Sequence, residues 1–495
     1  MTPDTMTSFN LPQTVPNIIG GEEKLATGDG SLDKLNPHDG KLVCRVTRSQ
    51  TEDVASAITA AAEVQPSWAS IPGVKRGEIL YEVALGLRRH RDEMARVVAL
   101  ETGKNHSSAC GETEAAIALG FFMAGEGQRL YGRTTTSGSP NRLVMTLRQP
   151  LGVAGLIIAA NTPIANVAWK VFPALICGNA AVLKAAEDTP VTAWLFGKIA
   201  TESGLPPGVL NIIQGYGGEA GASLVNDPRV AVVSFTGSTA VGRSIARDAG
   251  SRLAKISLEL GGKNPFIICD DADLENAVSW ALLSAFSNSG QRCASGSRII
   301  IFNEVYERVR TMLVERTEKL KVGPNDGDDL GPVINERQLM NMLAAIDRAS
   351  KNGARIITGG TRLTDTAHSN GFYLAPTLVE GAGPADEISL NELFGPIACL
   401  YRVANFNEAL ALANNSNYGL TACIHTKNLD RALEFTQHVQ AGVAGVNAGT
   451  FGSEPHMPFG GVKQSGNGSR EPGTEALDVY SSLKDVYLNF NPKAC

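Results

Sequence analysis

From residue 151 onward, short apolar runs alternate with amphipathic stretches of about ten to fifteen residues. The runs fall at 153–160, 181–184, 209–213, 230–235 and 256–260, and a second set lies at 265–269, 298–302, 355–358, 398–402 and 421–425. Continuous apolar runs of this length suit strands buried on both faces. Strands alternating with helices imply βαβ units and parallel sheets. The region before them has a helical period: residues 53–70 are alanine-rich, 76–102 carry one sustained amphipathic stripe, and 112–129 follow suit. Two segments stand outside this rhythm. Residues 142–148 and 479–489 alternate apolar and polar positions, as polar-faced strands do. Taken alone they are ordinary edge strands, but exposed edges need a partner or a cover, so an oligomer is expected. The expected class is α/β, without internal repeats.

Composition narrows the function classes. The chain has 495 residues, 43% hydrophobic and 19% charged, enough for roughly two to four domains. With 50 acidic against 44 basic residues, the net charge of −6 argues against nucleic acid or an anionic membrane as partner. The 52 glycines lack a period and interleave with apolar runs, which points to tight strand–helix turns. The cysteines form no close pair with zinc-type spacing and the histidines are scattered, so no metal site is expected. Residues 1–20 lack the charged start and apolar run of a signal peptide, and no stretch is long and apolar enough to span a membrane. A reducing cytosol fits this cysteine usage best, which makes the expected location cytoplasmic.

Candidate chemistry centres on Cys293, in the polar loop Asn288-Ser289-Gly290-Gln291-Arg292-Cys293-Ala294-Ser295-Gly296. Packing cysteines sit among aliphatic residues, as Cys177 and Cys269 do. A thiol on a loop rich in backbone N–H groups and beside Arg292 is a candidate thiolate nucleophile, although most lone cysteines are inert. Glu259 closes an apolar run and precedes the pair Gly261-Gly262 after Leu260, a place where backbone passes close to something. The plain alternative is a surface-facing glutamate. Asn161 follows another apolar run, where its amide either caps a turn or donates to an oxyanion. Gly237-Ser238 lies between the run 230–235 and a helix ending in the 240s, with Gly242 inside it. Such a helix N-terminus favours phosphate, and a tight turn is the rival reading.

These pieces resemble the aldehyde dehydrogenase superfamily from about residue 37 to 488. The matching segments are Pro150-Leu-Gly-Val-Ala-Gly, Asn161-Thr-Pro, Gly178-Asn-Ala-Ala-Val-Leu-Lys184-Ala-Ala-Glu187, Phe235-Thr-Gly-Ser-Thr-Ala-Val-Gly242, Leu258-Glu-Leu-Gly-Gly-Lys, Gly290-Gln-Arg-Cys, Asn391-Glu-Leu-Phe-Gly-Pro396 and Met457-Pro-Phe-Gly-Gly-Val-Lys-Gln-Ser-Gly466. The resemblance implies a parallel βαβ NAD-binding domain (1–131 and 150–259), an α/β catalytic domain (260–470), and a small β bridging domain of oligomerisation strands (132–149 and 475–495). A homodimer or homotetramer is expected. Cys293 is implied as nucleophile, Glu259 as the base of hydrolysis and Asn161 as oxyanion donor. Members that pass the acyl group to coenzyme A generally lack this glutamate.

For the cofactor, the resemblance implies Lys184 and Glu187 near one ribose, Gly237, Ser238 and Gly242 at the pyrophosphate, and Glu392 with Phe394 at the nicotinamide end. A carboxylate at the ribose repels a 2′-phosphate, which favours NAD over NADP, although some members with this glutamate use both. The implied substrate is a small aldehyde oxidised to its carboxylate. The tunnel would be lined by Thr162, Asn166, Trp169, Arg292, Ala294, Phe451, His456 and Phe459. Here the chain departs from the pattern. Ala160 replaces a frequent tryptophan, Thr162 a frequent phenylalanine, and Ser469 is inserted in the tail motif. Thr162, Asn166, Arg292 and His456 suggest a tunnel more polar than fatty aldehydes need, so an acidic semialdehyde is the alternative substrate. Trp169 stands where succinate-semialdehyde specialists tend to carry arginine, which argues against that one. Arg292 either faces the tunnel or points away to pair with an acid. A non-catalytic structural relative would have no reason to keep Cys293, Glu259 and Asn161 together.

Overall fold

The computed structural model describes residues 11–492. The strands Val153–Ile157, Ala180–Lys184, Arg298–Phe302 and Thr421–His425 are buried at every position, as their largely apolar character favours. They belong to two seven-stranded sheets. In the first, Lys255–Glu259, Val230–Thr236, Val153–Ile157, Ala180–Lys184 and Leu210–Ile213 lie side by side in parallel. Asn17–Ile19 and Glu22–Lys24 add antiparallel strands at one edge. Chain order reverses between Val153–Ile157 and Val230–Thr236, so a crevice opens beyond the carboxyl ends of these two strands.

In the second sheet, Thr377–Glu380, Ile397–Val403, Arg298–Phe302, Pro265–Ile268, Thr421–His425 and Val443–Val446 run parallel, with Arg355–Thr358 antiparallel at one edge. Apolar layers cover both faces of each sheet. In the first, Ala154, Leu156, Ala181 and Leu183 face one layer, whereas Val153, Ile157, Ala180 and Val182 face the other. Alternate residues therefore feed opposite cores.

A third sheet lies apart from these two. Ser481–Asn489 pairs antiparallel with Arg142–Pro150 from Ser481↔Pro150 to Asn489↔Arg142, with Thr134–Thr136 on the far side. Its outer strand leaves Leu483, Tyr487 and Leu488 exposed.

Several boundaries differ from the sequence pattern. The stripe at 76–102 is two helices, Gly73–Arg89 and Arg91–Thr102, broken at His90. His90 leaves helical geometry and Glu93 accepts from its ring at 2.7 Å, while the apolar stripe continues across the break. Residues 158–160 leave the strand and lead into Asn161. The terminal segment begins as a short helix, Ala476–Tyr480, buried in the first body, before its strand starts at Ser481. Thr377–Glu380, Val443–Val446, Ser31–Leu35 and Leu42–Thr47 were not legible. Ser31–Leu35 alternates exposed and buried positions, but it buries Lys34 with Leu32 and exposes Leu35, so no apolar face marks it.

Candidate active site

Residues at the carboxyl ends of the first sheet meet loops at the amino ends of the second. Glu259 ends its strand, and its carbonyl accepts from Gly237 N at 3.1 Å. Its side chain is 4% exposed, and neither carboxylate oxygen has a hydrogen-bond partner among the described residues. Burial raises this carboxyl well above its ordinary value, and the charge of Glu471 adds to the effect; Lys170 and Arg470 oppose it. Space beside it depends on Gly460, where a Cβ would lie 2.9 Å from Glu259 Oε1.

Cys293 follows the helix Leu274–Phe286 and a turn in which Asn288, Ser289 and Gly290 are all left-handed, with φ of 54°, 54° and 66°. Asn and Gly tolerate this region, whereas serine costs about 1–2 kcal/mol. Ser289 is tied down by donating to Gly331 O at 2.7 Å. A Cβ at Gly290 would lie 2.0 Å from Gly395 O, so glycine lets the loop pack against the Glu392–Pro396 turn. The expected close approach at Gly261-Gly262 is also present. A Cβ would meet Glu392 Oε2 at 2.2 Å from Gly261, and Cys293 O at 2.3 Å from Gly262. Asn264 fixes the loop further by donating to Cys293 O at 2.7 Å and Ser295 O at 2.9 Å.

The expectation of a thiol ionised by its loop and Arg292 needs correction. Burial lifts the Cys293 thiol to about 12, and the nearby Glu392 and Glu259 carboxylates push the same way; Ala294 N and Arg292 offset only part. Asn161 donates through Nδ2 to Gln291 O at 3.0 Å, which spends one of its two N–H groups and leaves one for a ligand. Its backbone carbonyl accepts from Lys104 Nζ at 2.9 Å and Asn288 Nδ2 at 3.2 Å.

The crevice has the donors and acceptors that a dinucleotide needs. Ser238 caps the helix Thr239–Ser251, its hydroxyl accepting from Val241 N at 3.4 Å. Gly237 and Gly242 are needed for packing: a Cβ would lie 2.4 Å from the Phe235 ring or 2.5 Å from Leu260 Cδ2. Gly242 is thus also a close packing position of this helix against Leu260. Glu187 accepts from Gly217 N at 2.6 Å and lies 3.2 Å from Lys184 Nζ. Burial raises the Glu187 carboxyl, but the Lys184 ammonium and backbone N–H groups outweigh it and hold it below its usual value. Glu392 accepts from Gly262 N at 2.9 Å, and burial pushes its carboxyl up to about 7. Phe394 beside it is left-handed, with φ of 55°.

On the other side of Cys293 lies a cavity of about 380 Å³ that collects Asn161, Thr162, Trp169, Arg292, Ala294, Phe451 and Phe459. Trp169 packs on Phe459 with ring centroids 5.3 Å apart. Arg292 faces this cavity. Its guanidinium lies over the Phe451 ring, 4.9 Å from the centroid, its buried Nε has no hydrogen-bond partner, and no carboxylate among the described residues is within ion-pair distance. Two expected lining residues lie elsewhere. Asn166, one helical turn after Thr162, turns its amide back to Thr162 O at 2.9 Å and Oγ1 at 3.0 Å. His456 sits against Phe122, 3.3 Å from Glu454. Residue type signalled polarity at both positions but could not give direction.

The sequence reading assigned no role to Lys104, Glu112, Asn264, the Gln291 carbonyl or Glu471. Lys104 and Glu112 form a buried pair at 2.5 Å, and Glu112 accepts from Ile164 N at 3.0 Å. Lys170 binds Glu471 at 2.9 Å and donates to Ser234 at 2.7 Å.

A thiol, a buried unpartnered carboxyl and a spare amide N–H, placed between a dinucleotide crevice and a cavity, define a class of enzyme that oxidises carbonyl compounds through sulfur. The chain matches the aldehyde dehydrogenase family over residues 25–486 and belongs to it. It is 38% identical over 486 residues to alpha-ketoglutaric semialdehyde dehydrogenase of Bacillus subtilis, covering 98% of this chain and 100% of that protein. Alpha-ketoglutarate semialdehyde dehydrogenase of Haloferax volcanii is 36% identical over 479 residues, 96% of this chain and 99% of the other. Betaine aldehyde dehydrogenase of Staphylococcus aureus, solved in complex with NAD+, superposes with a TM-score of 0.94 at 32% identity, covering 97% of this chain and 95% of that one. The chain is an aldehyde-oxidising enzyme of this family.

Proposed function

We propose that this enzyme oxidises an aldehyde bearing a distal carboxylate to the corresponding diacid, using NAD+ and water. One observation carries the substrate class: Arg292, next to the nucleophile, presents to the cavity a guanidinium with no protein anion among the described residues within ion-pair distance. A half-buried cation of this kind gains most from an anionic ligand. The semialdehyde named for the Bacillus and Haloferax relatives has such a carboxylate.

The crevice suits NAD+ on its own chemistry. Glu187 and Glu392 can accept from ribose hydroxyls, the helix Thr239–Ser251 offers its N-terminal N–H groups to the pyrophosphate, and Lys184 and Phe394 complete the two ends. The Glu187 carboxylate disfavours a 2′-phosphate, so NADP is the lesser cofactor. When bound, NAD+ supplies a hydride acceptor and a positive charge beside the thiol.

The remaining chemistry falls to the chain's own residues. The Cys293 thiol passes its proton to solvent water and its sulfur adds to the aldehyde carbon, forming the thiohemiacetal as its oxyanion. The oxygen of that adduct takes the free N–H of Asn161 and the backbone N–H of Cys293; one such donor is worth about 3 kcal/mol of barrier. Loss of hydride from the same carbon leaves a thioester on Cys293. Glu259, whose burial makes it a stronger base than an exposed carboxylate, takes a proton from water. The resulting hydroxide adds to the thioester carbon, and sulfur leaves with release of the acid. Arg292 holds the far end of the substrate throughout. The thiol works only if it stays reduced, so we place the enzyme in the cytosol, as an oligomer formed through the open edge of Ser481–Asn489.

Arg292→Leu tests the substrate class. KM for 2,5-dioxopentanoate should rise by about tenfold or more, while pentanal is turned over nearly as before. Equal losses for both aldehydes would make the arginine structural and remove the basis for an acidic substrate.

A further inference from the structure

Arg292 shares its cavity wall with Lys104 and Glu112. Lys104 and Glu112 are paired at 2.5 Å, with side chains 5% and 6% exposed. Burial lowers the pKa of Arg292, and among nearby carboxylates Glu112 opposes that shift most. Glu112 is the buried carboxylate on the same wall as Arg292, and its oxygens are held by Lys104 Nζ and by Ile164 N at 3.0 Å. Glu454, the other carboxylate on the wall, is 73% exposed and lies beside His456. The inner wall thus carries two cations and one anion.

We infer that Lys104 is a specificity-determining residue: by holding Glu112, it keeps that carboxylate from closing on Arg292 and leaves the guanidinium open for the substrate's own carboxylate. This rests on the acidic-substrate reading above. With Lys104 in place the inner wall has one positive charge in excess, which the substrate's acid neutralises. Without Lys104 the excess disappears, and Glu112 competes with substrate for Arg292. Lys104 also donates to Asn161 O, so its loss slows every aldehyde. The informative quantity is therefore the ratio of KM for 2,5-dioxopentanoate to KM for pentanal, in which the effect through Asn161 cancels.

Three variants read this ratio in different directions. In Lys104→Met it should rise about tenfold or more. In Glu112→Gln, which keeps an oxygen for Ile164 N and releases the lysine charge, it should fall. The double variant Lys104→Met/Glu112→Gln leaves Arg292 as the single excess charge and should return to within about threefold of the wild type. Equal effects of Lys104→Met on both aldehydes, or a double variant no better than Lys104→Met, would overturn the inference and reduce Lys104 to a support for Asn161. Should Lys104→Met fail to fold by thermal melting, an unchanged ratio in Glu112→Gln would overturn it equally. The underlying substrate reading fails separately, if Arg292→Leu alone leaves the ratio where it was.

Discussion

Cys293 keeps its proton across the neutral range in the cofactor-free chain, because burial and the Glu392 and Glu259 carboxylates lift its thiol to about 12. The alkylating species is the thiolate, whose fraction below that value grows about tenfold per pH unit. Iodoacetamide should therefore modify Cys293 in the free enzyme at a rate that climbs steadily from about pH 7 to about pH 10, read by mass on the peptide that holds it. Peptide mapping matters because Cys110 is half-exposed and competes for the reagent. NAD+ should speed the reaction at fixed pH by placing a positive charge nearby. A plateau near the ordinary thiol value of about 8.5, without cofactor, would show that the carboxylates do not govern the sulfur. The residues most legible in the sequence were those whose polarity clashed with their neighbours. Glu259 interrupts an apolar run, and Cys293 sits in a polar loop.

The helix Pro163–Ile176 shows what such contrast misses. It opens with proline at its first turn and is buried along nearly its whole length, Lys170 included. The Lys170 ammonium binds Glu471 at 2.9 Å, and Glu471 also accepts from Ser234 and Tyr480, both at 2.9 Å. One carboxylate thereby joins this helix, the strand Val230–Thr236 and the terminal helix Ala476–Tyr480. Removing a single partner leaves a charge buried and unpaired. Lys170→Met should cost about 3–5 kcal/mol of stability, measured by urea unfolding, and Lys170→Met with Glu471→Leu should recover most of it. A loss below about 1 kcal/mol in the single variant would mean that the pair is solvated. No periodicity predicts a contact 301 positions apart. A buried lysine and its acid look like two surface residues in the sequence, and Lys104 with Glu112 escaped notice for the same reason. The central parallel strands such as Val153–Ile157 and Arg298–Phe302 were legible because both of their faces are apolar, whereas Thr377–Glu380 and Val443–Val446 were not. The break at His90 was not, since one residue leaves the stripe in phase.

At the scale of the molecule, the outer strand Ser481–Asn489 has no strand partner on its far edge among the described residues and exposes Leu483, Tyr487 and Leu488. Truncation after Tyr480 should convert an oligomer into a smaller species by sedimentation, with the two larger sheets intact by circular dichroism. An unchanged sedimentation coefficient would move the interface elsewhere. The larger consequence of the architecture is that the reaction is divided between the two sheets. Glu259 ends a strand of the first, and Cys293 precedes a strand of the second. Removing the Glu259 carboxylate should therefore stop hydrolysis and leave sulfur addition and hydride loss to the other half. The most direct test is rapid mixing of Glu259→Gln with NAD+ and aldehyde, followed by mass analysis of the Cys293 peptide. The account predicts a burst of about one NADH per active site, a slow steady rate after it, and an acyl adduct on Cys293 in the same sample. Absence of both burst and adduct would contradict it, and would place Glu259 before hydride transfer, as the base that takes the thiol proton.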